Sequence, residues 1–165
     1  MTLVELLTTL AIIVVLTSIL LAAISQVRVN ARAATCLSQL HQIATALGAY
    51  SHDNIDQYPD PLATQSSWEQ SIRYYVSNAA IFKCPADQEI FPVVGSSYDW
   101  RDTGQENTTL AGRTAIGLKC SDPILVFDAL PGWHVSQKIN VARVDGSASM
   151  MDQDACVAEI QRAIR

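Results

Sequence analysis

The stretch that decides the fold is residues 1–27, MTLVELLTTLAIIVVLTSILLAAISQV. It holds one charged side chain, Glu5, and the next charge along the chain is Arg28. A helix needs about 20 apolar residues to cross a bilayer, and residues 6–27 satisfy that length. The run is too long for the apolar core of a typical signal peptide, and no basic residue precedes it. The sequence therefore predicts a membrane-length helix with an unusual acid near its start.

The same helix is predicted to continue to about residue 50, because no Pro occurs before Pro59 and no Gly before Gly48. Over residues 28–50 the apolar side chains recur at the spacing of one helical face, at Ala33, Cys36, Leu37, Leu40, Ile43, Ala44 and Leu47. We therefore expect a hydrophobic stem over residues 1–27 and a globular body over residues 28–165 that includes the second half of the helix. A buried core helix is the alternative for the stem, but the rest of the chain is too small to enclose it.

The charge is unevenly spread between these two parts. The formal net charge is −5. Residues 1–50 carry +1 and the remainder carries −6. An acidic body is a poor match for phosphate groups, which proteins usually bind with clustered Lys and Arg. No nucleic-acid partner is therefore expected.

Local patterns in the body predict short helices and a small antiparallel sheet. The predicted elements are a turn-rich linker at 53–62, a helix at 66–76 capped by Ser66 and Glu69, a strand at 123–127, a hairpin at 139–151, and a short C-terminal helix with Val157, Ile160 and Ile164 on one face. Asp145-Gly146 between the two hairpin runs predicts a type I′ turn. The predicted fold class is α+β, with the long N-terminal helix packed against the sheet.

The N-terminal motif resembles the mature N-terminus of type IV pilins and type II secretion pseudopilins. The family pattern T-L-x-E-L is matched by Thr2, Leu3, Val4, Glu5 and Leu6. In that family a prepilin peptidase cuts just before the residue that matches Met1, and the new amine is N-methylated. The resemblance therefore implies a type IV pilin-like fold and a mature chain that begins at Met1.

Further segments resemble a prepilin-like branch with an H-x9-DG motif. They are CLSQLHQIATALGAYSHDNIDQYPD (36–60), KCPAD (83–87) and NVARVDGSA (140–148). His134 lies eleven residues before Asp145, one more than the branch pattern. Pilins commonly have a helix breaker near position 22 and a Gly near 14, where this chain has Ala22 and Val14. An unbroken helix through residues 14–24 is therefore expected.

The four cysteines predict disulfides rather than a metal or redox motif. Cys36, Cys84, Cys120 and Cys156 form no C-x-x-C pair. An even number in an extracytoplasmic body favours disulfides, and four cysteines allow three connectivities. We favour Cys36–Cys84, which would tie the stem to the KCPAD loop, and Cys120–Cys156, which would close a C-terminal loop like that of many pilins. Buried free thiols are the alternative.

No pattern in the sequence predicts catalysis, a cofactor or a metal site. His41, His52 and His134 are dispersed, and HExxH, GxSxG, P-loop and GxGxxG motifs do not occur. The acids Asp53, Asp56, Asp60 and Asp145 are interpreted as turn residues in preference to Ca²⁺ ligands, because their spacing does not match an EF-hand. Asn107-Thr108-Thr109 is a candidate glycosylation site.

The resemblance implies a structural subunit of a helical filament of identical chains, with the stems inside. Glu5 has no basic side chain nearby on its own helix, so its expected partner is the α-amino group of Met1, by resemblance on a neighbouring subunit. The implied partners are the prepilin peptidase and the inner-membrane assembly machinery. The chain would lie in the inner membrane before assembly and in an extracellular filament afterwards. The alternatives are a type II secretion pseudopilin and a single-span membrane-anchored binding or enzymatic domain, which has no reason to place an acid at position five.

Overall fold

One long helix, α1 (Leu3–Asp53), forms the N-terminal part of the protein in the computed structural model. The structure describes residues 2–118, 123–134 and 138–164, without the side chains of residues 22, 23 and 117. The helix has 51 residues and is about 76 Å long at 1.5 Å per residue. It is continuous through residues 14–24, as predicted from the missing helix breaker. The prediction for that segment inside a filament stays a prediction.

Two regions of α1 differ in what surrounds them. From Leu3 to Leu21 every side chain is exposed. Among the side chains that the structure describes, the first buried one is Ala33, and from there the predicted stripe faces the body, with Cys36, Leu40 and Leu47 fully covered. Polar side chains between them, such as Gln42, remain exposed. The periodicity of residues 28–50 therefore identified the buried face correctly.

The body contains a four-stranded antiparallel sheet in the order β1 (Tyr98–Trp100), β2 (Ile124–Asp128), β3 (Lys138–Arg143) and β4 (Ala148–Asp152). Helix α1 packs on one face of it, where Val126 and Ala142 join the main core. This is the α+β architecture that the sequence predicted, a long N-terminal helix on a small antiparallel sheet.

A second helix, α5 (Gln153–Ile160), covers the other face of the sheet. There Cys156 packs with Ile124, Ile139 and Val141. Strand β3 is buried on both faces because successive side chains point to opposite sides of a strand. The predicted C-terminal helix thus exists, and Ile160 of its predicted face packs against this cluster. The prediction was wrong for Val157, which is 45% exposed while Cys156 is buried, and Ile164 is buried beyond the end of the helix.

Short helices lie in the segments that connect α1 to β1 and β1 to β2. They are α2 (Pro61–Thr64), α3 (Trp68–Ser71), α4 (Phe91–Val94) and 3₁₀ turns at Arg73–Tyr75, Ala79–Phe82 and Ala115–Gly117. The helix predicted over 66–76 is split in two, and its capping box is formed by Ser67 and Gln70, one residue later than expected. Ser67 holds the Gln70 N–H while Gln70 reaches back to the Ser67 N–H, which fixes the start at Trp68.

The turn between β3 and β4 also differs from its prediction. A type I′ turn needs positive φ at both central residues. Only Gly146 has it, at 86°, while Asp145 does not. The Gly146 N–H bonds to the Arg143 carbonyl and the Arg143 N–H to the Ser147 carbonyl. The hairpin therefore closes through a three-residue loop with the glycine in the left-handed position, and the Asp145 side chain accepts the Ser147 N–H.

Candidate functional site

The N-terminus of α1 is closed by a capping box between Thr2 and Glu5. The Glu5 carboxylate accepts the Thr2 N–H at 2.8 Å, and Thr2 Oγ1 accepts the Glu5 N–H at 3.3 Å. Both bonds satisfy N–H groups that have no carbonyl partner in the first turn of a helix. The carboxylate also lies at the positive end of the helix dipole, where a negative charge is favoured.

The sequence interpretation missed this role of Glu5. It considered side-chain partners and the Met1 amine, but Thr2-x-x-Glu5 is itself a capping-box signature. Met1 lies outside the described residues, so the Glu5–Met1 pair stays a prediction. In the capping box, as far as the described residues show it, the Glu5 carboxylate accepts the Thr2 N–H through Oε2 alone.

Apart from Glu5, the exposed stem presents a nearly uniform apolar surface. Its hydroxyl groups bond back to the helix itself: Thr8 to the Glu5 carbonyl, Thr9 to Leu6, Thr17 to Ile13 and Val14, and Ser18 to Val15. Polar groups must be satisfied internally in hydrocarbon, and these are. Within the part of the chain that the structure describes, α1 is the one helix long and apolar enough to cross a membrane. No residue in its most apolar segment is buried. An exposed apolar surface of this length is unfavourable in water.

A disulfide between Cys36 and Cys84 joins the second half of α1 to the KCPAD loop, and we call this region the junction. Both cysteines are fully buried, and their Cα atoms are 5.2 Å apart. This bond confirms the first predicted pair. The loop after Cys84 is organised by Asp87 and Ser97, because Ser97 Oγ accepts the Cys84 N–H and donates to Asp87 Oδ2 at 2.6 Å.

Asp87, the last residue of KCPAD, is the hub of that loop. Its two carboxylate oxygens accept the N–H groups of Glu89, Ile90 and Phe91 at 2.8–2.9 Å as well as the Ser97 hydroxyl. Burial alone would raise the pKa of Asp87, but these hydrogen bonds outweigh it and hold the pKa below its usual value. The ionised carboxylate therefore stabilises the segment that carries Cys84.

The second predicted disulfide is not found. Cys156 is a free, buried thiol, and Cys120 lies outside the described residues. Burial, followed by the nearby Glu159 charge, raises the pKa of Cys156 to about 11. Such a thiol stays protonated and weakly nucleophilic at neutral pH. The even number of cysteines favoured a second bond, but a count does not show where each side chain lies. In the structure Cys156 packs against the sheet.

His134 is buried beside the disulfide, although the sequence showed it as isolated. Its Nε2 is 3.3 Å from Asp128 Oδ2 and 3.8 Å from Cys84 Sγ. Burial raises the pKa of Asp128, and hydrogen bonds from His134 and from the Asn140 N–H oppose that rise. Among the described residues, Asp128 Oδ1 and His134 Nδ1 have no hydrogen-bond partner. Asp128 ends a buried strand, and its pairing with His134 could not be seen in the sequence.

The remaining sequence candidates lie apart from this junction. His41 is exposed and its Nδ1 contacts the Gly146 carbonyl at 2.6 Å, while His52 is exposed in the last turn of α1. Asp60 caps α2, Asp53 accepts the Tyr75 hydroxyl, and the Asp56 carbonyl accepts the Ala115 N–H. Asp60 therefore has the predicted capping role and Asp56 lies in a turn with φ of 57°, whereas the Asp53 carboxylate makes a long-range contact instead.

Asn107, the candidate glycosylation residue, lies in an exposed turn. Its carbonyl accepts the Ile164 N–H, and the neighbouring Thr108 is buried. The asparagine side chain is thus accessible on the body surface, although the backbone of the turn is held against the C-terminal segment.

The comparisons with known proteins give no relative for this chain. No protein-family model matches it, and neither a curated protein nor a solved structure does. The long apolar helix on a small antiparallel sheet is consistent with a pilin-like shape.

Proposed function

We propose that the protein is a structural subunit of a type IV pilin-like extracellular filament. The observation that carries the proposal is the stem. Its N-terminal half is an exposed apolar helix with internally satisfied hydroxyls and one carboxylate, Glu5. Packing of identical stems would bury this surface, and the disulfide-closed acidic bodies would face water. In this proposal the chain is not an enzyme.

Assembly in the proposal depends on the charge of Glu5. Packed stems would surround Glu5 with apolar side chains, where an unpaired charge is costly, and the capping box satisfies the carboxylate only in part. The amine of Met1 on a neighbouring subunit would supply a cation, so a stem in the wrong register would leave both charges unpaired. The chain would lie in the inner membrane before assembly, where the prepilin peptidase and the assembly machinery act on it.

Electron microscopy of fibres sheared from source cells tests the proposal. Micrometre-long fibres that contain this chain as the main component are expected, whereas short assemblies confined to the cell envelope would support a secretion pseudopilin. The variant Glu5→Ala should remain folded in the membrane and lose most of its fibres. Thr9→Ala is the matched control, because the Thr9 hydroxyl bonds only within its own helix. A monomeric membrane-bound chain in all cells would contradict the proposal and favour an anchored binding domain.

A further inference from the structure

The junction brings together three side chains that ligate thiophilic metals. The sulfur atoms of Cys36 and Cys84 and a ring nitrogen of His134 all lie within 4.8 Å of one another, and all three residues are buried. They come from α1, the KCPAD loop and the segment after β2, so only the folded protein assembles them. In the disulfide form the two sulfurs are bonded to each other and are not thiolate ligands.

We propose that the dithiol form of this junction is a Zn²⁺ site, with Cys36 Sγ, Cys84 Sγ and His134 Nε2 as ligands. Zinc is bound at about 2.3 Å by thiolate and about 2.0–2.1 Å by imidazole, so ligand atoms in a tetrahedral site lie roughly 3.5–3.8 Å apart. Cys84 Sγ and His134 Nε2 are 3.8 Å apart, slightly more than the roughly 3.5 Å expected between a thiolate sulfur and an imidazole nitrogen on one zinc. The two cysteines are held close by α1 and the Asp87-centred loop, which do not depend on the disulfide for their hydrogen bonds.

Asp128 supplies the fourth ligand in this proposal. Its Oδ2 lies 3.3 Å from His134 Nε2, close to the roughly 3.3 Å expected between carboxylate and imidazole atoms on one tetrahedral zinc. Asp128 is 1% exposed, and its Oδ1 has no hydrogen-bond partner among the described residues. A buried, under-satisfied carboxylate beside a buried imidazole is stabilised by a cation.

The zinc site would form in two steps, reduction of the disulfide and then binding of the ion. A dithiol reductant transfers two electrons and two protons to the disulfide, which becomes two thiols while the reductant becomes its own disulfide. Zn²⁺ then displaces the two thiol protons and binds the two thiolates. Zinc and the disulfide are therefore mutually exclusive ways to close the same junction. Export of the chain rests on the proposed function. In an exported chain the cysteines start as thiols, and zinc would close the junction first. A disulfide oxidant would then take two electrons from the two thiolates and become a dithiol, while Cys36 and Cys84 form their S–S bond and release Zn²⁺.

The experiment uses the full chain in detergent micelles, with Cys120→Ser and Cys156→Ser to remove the other thiols. The protein is reduced with a phosphine, and Zn²⁺ is titrated against a chromophoric chelator while the melting temperature Tm is recorded. One equivalent should bind to the reduced form and none to the oxidised form, and binding should raise the Tm of the reduced form. His134→Gln should weaken binding about 10–100-fold. His52→Gln, which changes an exposed histidine near the end of α1, should leave zinc binding unchanged.

Three results would each overturn the proposal. The first is the absence of one-to-one binding by the reduced protein. The second is equal zinc affinity of the His134→Gln variant and its parent, which would mean that unfolded cysteines alone capture the ion. The third is binding that leaves the Tm of the reduced protein unchanged.

Discussion

Glu5 and Thr2 hold each other at the start of the stem helix, through an N–H to carboxylate bond of 2.8 Å and a reciprocal bond of 3.3 Å. Glu5 therefore has a local role that needs a hydrogen-bond acceptor and a proposed assembly role that needs a negative charge. A Gln side chain can take the first role in a capping box but not the second. The two roles can be separated by substitution.

Glu5→Gln is predicted to keep the helix start and to lose filament assembly. Thr2→Ala is predicted to weaken the start of the helix by about 0.5–2 kcal/mol, because the cap is lost. Its fibre yield should stay close to normal. Fibre yield by microscopy and helix content of the purified monomer by circular dichroism measure the two effects. Full assembly of Glu5→Gln together with failure of Thr2→Ala would assign Glu5 to capping alone.

Removal of the junction disulfide should strongly destabilise the body. The bond closes a sequence separation of 48 residues, and its loss in the Cys36→Ser, Cys84→Ser double variant is predicted to cost about 2–5 kcal/mol. Thermal unfolding of the full chain in detergent without added metal measures it. Cys156→Ala is the matched control, expected to lose about 1 kcal/mol because the thiol is free. Equal losses in both variants would contradict the structural role of the bond.

The lowered pKa of Asp87 predicts that the free energy of unfolding depends on pH. The folded-state pKa of Asp87 is lowered, so its stabilising contribution is complete above the unfolded pKa of about 3.9 and is lost as pH falls through the folded-state pKa. Asp87→Asn is therefore expected to lose about 2–3 kcal/mol at neutral pH. The gap between variant and wild type should narrow below about pH 4. Asp154→Asn, an exposed acid in α5, is the control. A gap that is constant down to acid pH would refute this account of Asp87.

Arg101 is predicted to anchor the C-terminal segment. This 2% exposed guanidinium donates to the carbonyls of Thr108, Glu159, Ile160 and Arg162. Arg101→Met should cost about 2–5 kcal/mol because buried carbonyls lose their donors. Amide hydrogen exchange should accelerate first in α5. Arg73→Met, on an exposed arginine, should change neither quantity. Unchanged protection of α5 in Arg101→Met would contradict the anchoring role.

The sequence predicted the elements whose signals are local and periodic. The stripe from Ala33 to Leu47 repeats at helical spacing, so both the length of α1 and its buried face were readable. The turn of the last hairpin was located correctly, but its type depends on the backbone angles of Asp145, which residue identity does not fix. The helix start at Trp68 moved by one residue because Ser66 and Ser67 are both plausible caps.

Features that join distant segments were missed or only inferred by resemblance. Asp128 and His134 meet across the end of β2, and Arg101 reaches the end of α5, contacts that only tertiary packing creates. The position of Cys36 on α1 and of Cys84 in the KCPAD loop favoured the bond that is found, whereas resemblance to the C-terminal loop of many pilins favoured Cys120–Cys156. Burial of Cys156 against the sheet overrides that pairing. Cysteine count alone therefore could not separate a bonded thiol from a packed one.

A filament map at side-chain resolution tests the central claim most directly. The quantity to measure is the distance from the Glu5 carboxylate to the nearest Met1 nitrogen, within one chain and between neighbours. Helically packed stems are expected, with this distance within about 4–6 Å across a subunit contact, since opposite charges interact strongly at that range. A filament in which Glu5 lies farther than that from every Met1 nitrogen, or in which the stems are not packed together, would contradict it.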